Sequence, residues 1–493
     1  MRRSTIWAFA RNTIAQAIRI RVAFVIMGIY LVVVPALAFV VEGDGTLHGL
    51  LRVVITYDFI VAGFLLGVLT LALSTTTLWN ELREKQIFLI ESRPVRRWEV
   101  LVGKLLGILA IDAALLVFMG VVTWGSVRVL MAQPRWEEEE GGYAREIARE
   151  QVLTARHVVE PQEPKLEKQV DRIYERLEEE RSPVLRGRTE GEVKEAIREQ
   201  LRAALTTLVP LGQVTYYHRA KGGEFNIPFA PGHVWRFQGL PTEDREELMI
   251  TLRFKFLAPD AGPEEGILVA WLIGKQSEPE RQLRFTREYT PEEEHEVTLP
   301  ATPISDDGVL EVHLLNIDHL KAQAKGRAPR VIVFSDHDAM KVLLPVGGFA
   351  MNLARGLGLL FVEVLFLAIL GLFCSTFLTF PVSPIVALCL LLLIYLAGAV
   401  HGELERGLEL GTERQEGKVS LRERAVRVIT AAVRVVLPPF DRYSPASRVS
   451  QGIAVSWPLI LEAVGLVALV RGGLLVFFGA LIFQHRELAL AAR

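Results

Sequence analysis

The stretch Trp79-Asn80-Glu81-Leu82-Arg83-Glu84-Lys85-Gln86-Ile87-Phe88-Leu89-Ile90-Glu91-Ser92-Arg93-Pro94-Val95-Arg96-Arg97-Trp98-Glu99 decides how the chain is read. It is charged and amphipathic, and it separates two long apolar runs, Leu50–Leu78 and Val100–Val122. Leu82, Ile87, Leu89 and Ile90 can line one side, while Glu81, Arg83, Glu84, Lys85, Arg93, Arg96 and Arg97 stay in water. Pro94 ends or breaks any helix here, having no amide hydrogen and a ring that clashes with the preceding turn. Two readings fit this composition: a helix lying flat at a bilayer surface, or a charged loop between two spanning helices.

Working outward, Met1–Arg21 is basic, with five arginines and no acid, and Val22–Val41 follows as an apolar run. About 20 apolar residues suffice to cross a bilayer, so this is a first span. A secretory signal with Ala36-Leu37-Ala38 as its cleavage site competes, but the apolar run is long and further spans follow. Lys and Arg collect on the cytoplasmic side of membrane proteins. The N-terminus and Arg83–Arg97 are therefore expected inside, and Glu42–Gly49, without Lys or Arg, outside. Residues from about Ala132 to Leu344 then lie outside the cell.

The chain has 493 residues, of which 51% are hydrophobic and 23% charged, with a mean hydropathy of +0.30. That mixture fits membrane spans joined to a large polar domain. A net charge of −2 gives nucleic-acid binding no support. Cys374 and Cys389 both sit in apolar runs, which argues against a disulfide framework or a zinc site.

The polar middle has two parts. Residues 132–212 are charged with helical period: Leu166, Val170, Ile173 and Leu177 recur at helical spacing, as do Val193, Ile197, Leu201, Leu205 and Leu208. Thr189-Glu190-Gly191-Glu192 fits a capping box for the second stripe. Over residues 213–346 the period becomes two. Ile250, Leu252, Phe254 and Phe256 alternate with polar neighbours, and Leu310, Val312 and Leu314 do so after an Asp307-Gly308 turn. Further strands are expected at His233–Phe237, Ile267–Ile273, Leu283–Tyr289, Val297–Leu299, Val331–Phe334 and Lys341–Leu344. Strands at this spacing favour an antiparallel β-sandwich or jelly roll within an extracytoplasmic α+β domain.

The chain returns to the membrane near Leu353. Residues 347–400 hold the fourth and fifth spans, Leu357–Phe377 and Ile385–Val400, and residues 401–456 form an outer linker with an amphipathic helix over Leu421–Val436. Residues 457–493 hold the sixth span, near Val464–Phe483, and a cytoplasmic tail. Residues 1–131 carry the first three. The expected fold is thus a six-helix membrane bundle plus the outer β domain.

Chemistry-bearing patterns are scarce. No Gly-x-x-x-x-Gly-Lys-Ser/Thr phosphate loop is present, nor a Gly-x-Ser-x-Gly elbow or zincin helix. His337 between Asp336 and Asp338 reads as a polar turn between strands rather than a metal site, and His233, His313 and His319 lack ligand spacing. Five charges fall inside spans: Asp58, Asp112, Glu363, Glu462 and Arg471. Each costs energy in lipid unless partnered, either as packing polarity or as a gating or substrate-path pair. Depth along the helices matches Arg471 to Glu363 or Asp58 as an ion pair, with snorkelling of Arg471 as the alternative.

The acidic segment at Glu81 and Arg83, the step Pro94-Val95-Arg96-Arg97, and Gly103-Lys104 at the head of the third span resemble the permease subunits of ABC-2 type exporters. That family includes permeases associated with multi-copper enzyme maturation and gliding motility. Gly371-x-x-x-Ser375-Thr376 and the closing Phe483-x-x-Arg486-Glu487 resemble it too. The resemblance covers the membrane parts and leaves the middle untouched. It implies a multi-pass permease of the cell (inner) membrane, paired as homodimer or heterodimer, which is not itself an enzyme. ATP would be bound by a separate cytoplasmic ABC ATPase, with no cofactor in this chain. Asn80, Glu81, Arg83, Glu84, Lys85, Glu91, Arg93, Pro94, Arg96, Arg97 and Trp98 would contact that ATPase, while lipid and an extracytoplasmic protein are further partners. The rival reading is a membrane-anchored scaffold or sensor whose β domain binds a ligand or envelope partner without transport.

Overall fold

A computed structural model describes residues 2–40, 45–83, 97–137, 143–162, 167–179, 190–191, 193–194, 197, 207–209, 234–258, 262, 265–275, 277–327, 330–334, 339–392 and 440–485. The basic α1 (Arg2–Ile20) is followed by long, largely apolar helices, free of prolines except Pro35: α2 (Val22–Val40), α3 (Leu47–Arg83) and α4 (Arg97–Met131). After the central residues come α8 (Phe349–Phe377), the short apolar helix α9 (Val382–Leu392) and α10 (Trp457–Phe483). Within the described residues, four helices are long and apolar enough to cross a membrane: α3, α4, α8 and α10. The pair α1–α2, bent by 59°, passes the same test together.

The chain divides into two compact units, Met1–Ala155 with Val346–Arg493, and Arg156–Pro345. In the first, α8 lies at the centre: 67% of its most apolar window is buried, against 28% for α10. Leu359, Leu360, Phe366 and Leu367 of α8 share one core with Leu51, Ile55 and Leu66 of α3 and Ile108 and Met119 of α4. Ala144 and Ala148 of the small helix α5 (Ala144–Gln151) join that core. The buried Asn352 ties α8 to the segment leading into α10. Its amide donates to the Ile453 carbonyl at 2.9 Å and accepts from the Val455 amide at 2.8 Å. At residues Val464–Gly472 α10 winds as a π-helix, a form that is rare outside single widened turns.

The second unit carries α6 (Glu167–Glu179), α7 (Asp318–Lys325) and most of ten strands. Strands β1 (Thr154–Val159), β10 (Met340–Gly348), β4 (Met249–Lys255) and β7 (Glu294–Pro300) form one sheet in that order. A second sheet runs β3 (Val234–Phe237), β8 (Leu310–Asn316), β5 (Ile267–Ile273), β6 (Leu283–Tyr289), and β2 (Thr207–Val209) pairs with β9 (Ile332–Phe334). Pairings β10–β4, β4–β7, β3–β8, β8–β5, β5–β6 and β2–β9 are antiparallel. Alternation sends Ile250, Leu252 and Phe254 of β4 and Trp271 and Ile273 of β5 into one core with Trp235, Phe237 and Leu310. Phe254 meets Trp271 edge-on at 4.8 Å. Gly308 supplies the turn before β8 at φ 71°, where a side chain would meet the Leu240 carbonyl at 2.9 Å. Off the core, Arg156 and Arg253 both bond the buried Glu296.

All eight expected strands that overlap described residues are found, with ends shifted by up to four residues: β7 begins three residues before Val297 and β10 runs four past Leu344. The expected helical stripe fails at its end: Leu208 lies in strand β2, because pairing with β9 overrides local periodicity. Strand β1 also lies inside the stretch expected to be helical. Val170, Ile173, Val193 and Ile197 do pack together, as their spacing implied. Every crossing helix among the described residues is longer than expected, since polar residues such as His48 and Glu99 continue the helix past the apolar run. Glu462 lies near a helix end, bonded to Arg442 at 2.8 Å and to the Tyr443 hydroxyl at 3.1 Å. The capping box is described only at Glu190 and Gly191; His233, the Asp336–His337–Asp338 turn, Leu421–Val436 and the end of the fifth span, 393–400, lie outside the described residues.

Burial pushes the His295 and His313 imidazoles below the ordinary histidine value. The unfolded chain therefore takes up protons near pH 6.5 that the folded β unit refuses, so stability falls as pH drops through that range. Asp307 is held at about 2 by the Lys275 ammonium and the Ser305 hydroxyl, so its contribution, present above pH 4, disappears only as pH approaches 2. Tryptophan fluorescence melts of the full chain should show a lower midpoint at pH 5.5 than at pH 7.5, and His295→Gln should shrink that difference.

Candidate functional site

Helices α3 and α4 run antiparallel on either side of the charged segment, and their buried polar groups meet at one register. The Thr123 hydroxyl donates to Asp58 at 2.5 Å, the Thr70 hydroxyl donates to Asp112 at 3.0 Å, and the Lys104 ammonium donates to the Thr77 carbonyl at 3.1 Å. In each pair the residue numbers sum to 181 or 182, the signature of a single alignment. Asp58 to Thr77 covers about 28 Å at 1.5 Å per residue, close to the thickness of a bilayer's hydrocarbon core. Asp58, Asp112 and Lys104 are each at most 2% exposed.

The first rung recruits a third helix, because the Tyr30 hydroxyl of α2 donates to the other oxygen of Asp58 and lies 3.1 Å from Thr123. Asp112 is half satisfied: its second oxygen is buried without a hydrogen-bond partner among the described residues. Serine and threonine elsewhere on α3 turn inward to their own backbone, as Thr75 and Thr77 do at 2.6 and 2.7 Å. That is the usual fate of a hydroxyl in an apolar helix, so Tyr30, Thr70 and Thr123 carried no distinguishing signal in the sequence.

The charged end of the pair is bound to α1. A Cβ on Gly103 would lie 2.6 Å from the Phe9 Cβ, and one on Gly107 would lie 2.7 Å from the Ala10 carbonyl. This is the small-xxx-small contact that lets helix backbones touch. Gly103 and Lys104 thus do separate jobs: one admits α1, the other reaches back to α3. On the far side of α3, Trp79 stacks against Phe380 in the turn after α8, ring centroids 6.2 Å apart.

Asn80, Glu81 and Arg83 continue α3, and Arg97 and Trp98 open α4, with Trp98 half-buried. Glu84, Lys85, Glu91, Arg93, Pro94 and Arg96 lie outside the described residues. Asp58 and Asp112 are held in separate rungs of the α3–α4 pair. Asp58, one of the two carboxylates expected to face Arg471, is bonded to Tyr30 and Thr123, whose hydroxyls meet its need for donors. Asp112 is bonded to Thr70, Glu363 lines a cavity between α3 and α8, and Arg471 lies in the π-helical part of α10. The described residues contain no group of three or more His, Cys, Asp or Glu able to hold a metal ion.

Removing the Asp58 carboxylate should leave the buried Tyr30 and Thr123 hydroxyls only each other and the Met119 carbonyl as partners, a loss of about 1–3 kcal/mol. Asp58→Leu should therefore lower the unfolding midpoint in detergent well beyond Asp58→Asn, which keeps an acceptor. Gly107→Leu should detach α1 from α4, read as new protease sensitivity of the N-terminal residues.

Residues 44–139, which take in α3, the charged segment and α4, match the family model described as ABC-2 family transporter protein. No curated protein and no solved structure matches the chain.

Proposed function

We propose that the chain is the membrane permease subunit of an ABC-2 type exporter, worked by a separate cytoplasmic ATPase. The family match over residues 44–139 carries this reading. The α3–α4 pair supports it, since its register joins three helices into one body that ends at the charged segment. In this reading the ATPase docks on Asn80–Trp98, and its closure moves α3 and α4 together. Gly103 and Gly107 pass the movement to α1. The chain itself performs no chemistry and binds no cofactor; ATP belongs to the partner.

The remaining parts follow the same reading. Helix α2 is the first of six spans and α9 begins the fifth, while the β unit, two four-stranded sheets around one core, lies outside the inner membrane. Two permease subunits, identical or related, form the pore, and an envelope protein is a natural partner for the β unit. The scaffold reading keeps one observation in its favour, that the β unit has a complete core of its own.

Co-purification tests the coupling. Reversing Arg96 and Arg97 together to Glu should reduce recovery of the ATPase while leaving the protein in the membrane, and undiminished recovery would reject docking at that segment. Labelling with an impermeant thiol reagent in intact cells tests the topology: Gly222→Cys should react and Lys85→Cys should not.

A further inference from the structure

Strand β6 closes one side of the second four-stranded sheet. On its inner side it pairs with β5 without a bulge, from Ile267↔Tyr289 to Ile273↔Leu283. Its outer edge hydrogen-bonds nothing else among the described residues. Such a row of unpaired amides and carbonyls is a template for a further strand, which proteins blunt with proline, a bulge, a cover or charge. The other edges show such devices. β3 is four residues long, and its Arg236 carbonyl accepts from the Gln162 amide at 2.7 Å. β7 contains Pro300 and sets Glu294 and Glu296 on one face. β6 runs seven residues without proline or glycine, and Arg284, Thr286, Arg287 and Glu288 are exposed. Its charges are not of one sign: Arg284 and Glu288 stand at equal distances on either side of Thr286.

We propose that β6 pairs antiparallel with β6 of a second copy of this chain, across a two-fold axis at Thr286. Residues directly opposite in an antiparallel pair share a face and interact. In this register each Arg284 faces Glu288 of the second copy, Leu283 faces Tyr289, and Phe285 faces Arg287, a guanidinium beside a ring. The neighbouring registers are poorer. An axis on Arg287 sets two arginines opposite each other, and one on Phe285 leaves Arg284 opposite Thr286. Glu288 already takes the Lys321 ammonium, and Arg284 reaches the Gln282 amide oxygen at 2.8 Å. A carboxylate has two oxygens and a guanidinium five donors, so both keep these contacts and add the new one. Two four-stranded sheets thereby become one continuous sheet. An edge of seven residues is a small interface, and it closes when the membrane units already hold two copies at high effective concentration. The inference therefore rests on the reading that two permease subunits pair, and it makes those subunits identical.

The test uses the full chain in cell membranes, carrying Cys374→Ser and Cys389→Ser, with cysteines introduced on β6 and oxidised by copper phenanthroline. Opposed residues have Cβ atoms about 4.5–5.5 Å apart, so Thr286→Cys should give a covalent dimer. Arg284→Cys should not, because its two copies stand four residues apart along the strands, about 13 Å at 3.4 Å per residue. Adding Glu288→Cys to the same chain should restore cross-linking. Arg284→Glu sets acids opposite each other and should slow cross-linking at position 286 about fivefold, whereas Arg284→Lys should preserve it. These positions are exposed, so the substitutions leave the core intact. Stepwise photobleaching of a C-terminal fluorophore counts the copies in parallel. Two copies without a Thr286→Cys cross-link, or with Arg284→Cys linking to itself as readily, would overturn the edge pairing and leave the paired permease standing. A single copy would retire both.

Discussion

Lipid offers no hydrogen bonds, and that single constraint sets the geometry of the α3–α4 pair. A buried carboxylate or ammonium must find its partners inside the protein. Asp58, Asp112 and Lys104 all find theirs across the same interface, at the same alignment. Rotating or sliding either helix by one residue turns its side chains by about 100° and breaks all three contacts together. Apolar packing between helices in lipid tolerates many nearly equal alignments. Three polar rungs remove that tolerance, and Tyr30 extends the restriction to α2.

The rest of the membrane unit follows from close contact rather than polarity. Gly103 and Gly107 bring α1 against α4, and Gly371 brings α8 against Ser74 of α3. The β unit relies on a different force. Its core of tryptophan, phenylalanine and branched aliphatic side chains gains from leaving water, and none of its core residues belongs to the core of the helical unit. The chain therefore combines two stabilising logics, one for hydrocarbon and one for water.

Strands were legible because alternation is a local property: Ile250, Leu252 and Phe254 announce their face without knowledge of their neighbours. The crossing helices were legible for a similar reason, though not where they begin: α3 starts at Leu47, ahead of the apolar run. Leu208 was misread because its partner, Val333, is distant in sequence. The intramembrane charges were visible at once, but their partners were not. Depth along the helices pointed Arg471 toward Glu363 or Asp58, and Asp58 bonds Tyr30 and Thr123, whose hydroxyls look like ordinary helix residues until the register is known. Gly103-Lys104 was noticed as a pattern, and only the structure assigns its two residues different tasks.

Strands β1 and β10, at the two ends of the long central stretch, are neighbours in one sheet. The polymer consequence concerns the helices that flank them. Closing a flexible loop has an entropic cost that grows with its length, and the chain between Val159 and Met340 would impose a large one on the joining of α4 to α8 if it were unstructured. Pairing β1 with β10 meets that cost inside the β unit itself. To the helices, the central stretch then behaves as a shorter connection than its length in sequence.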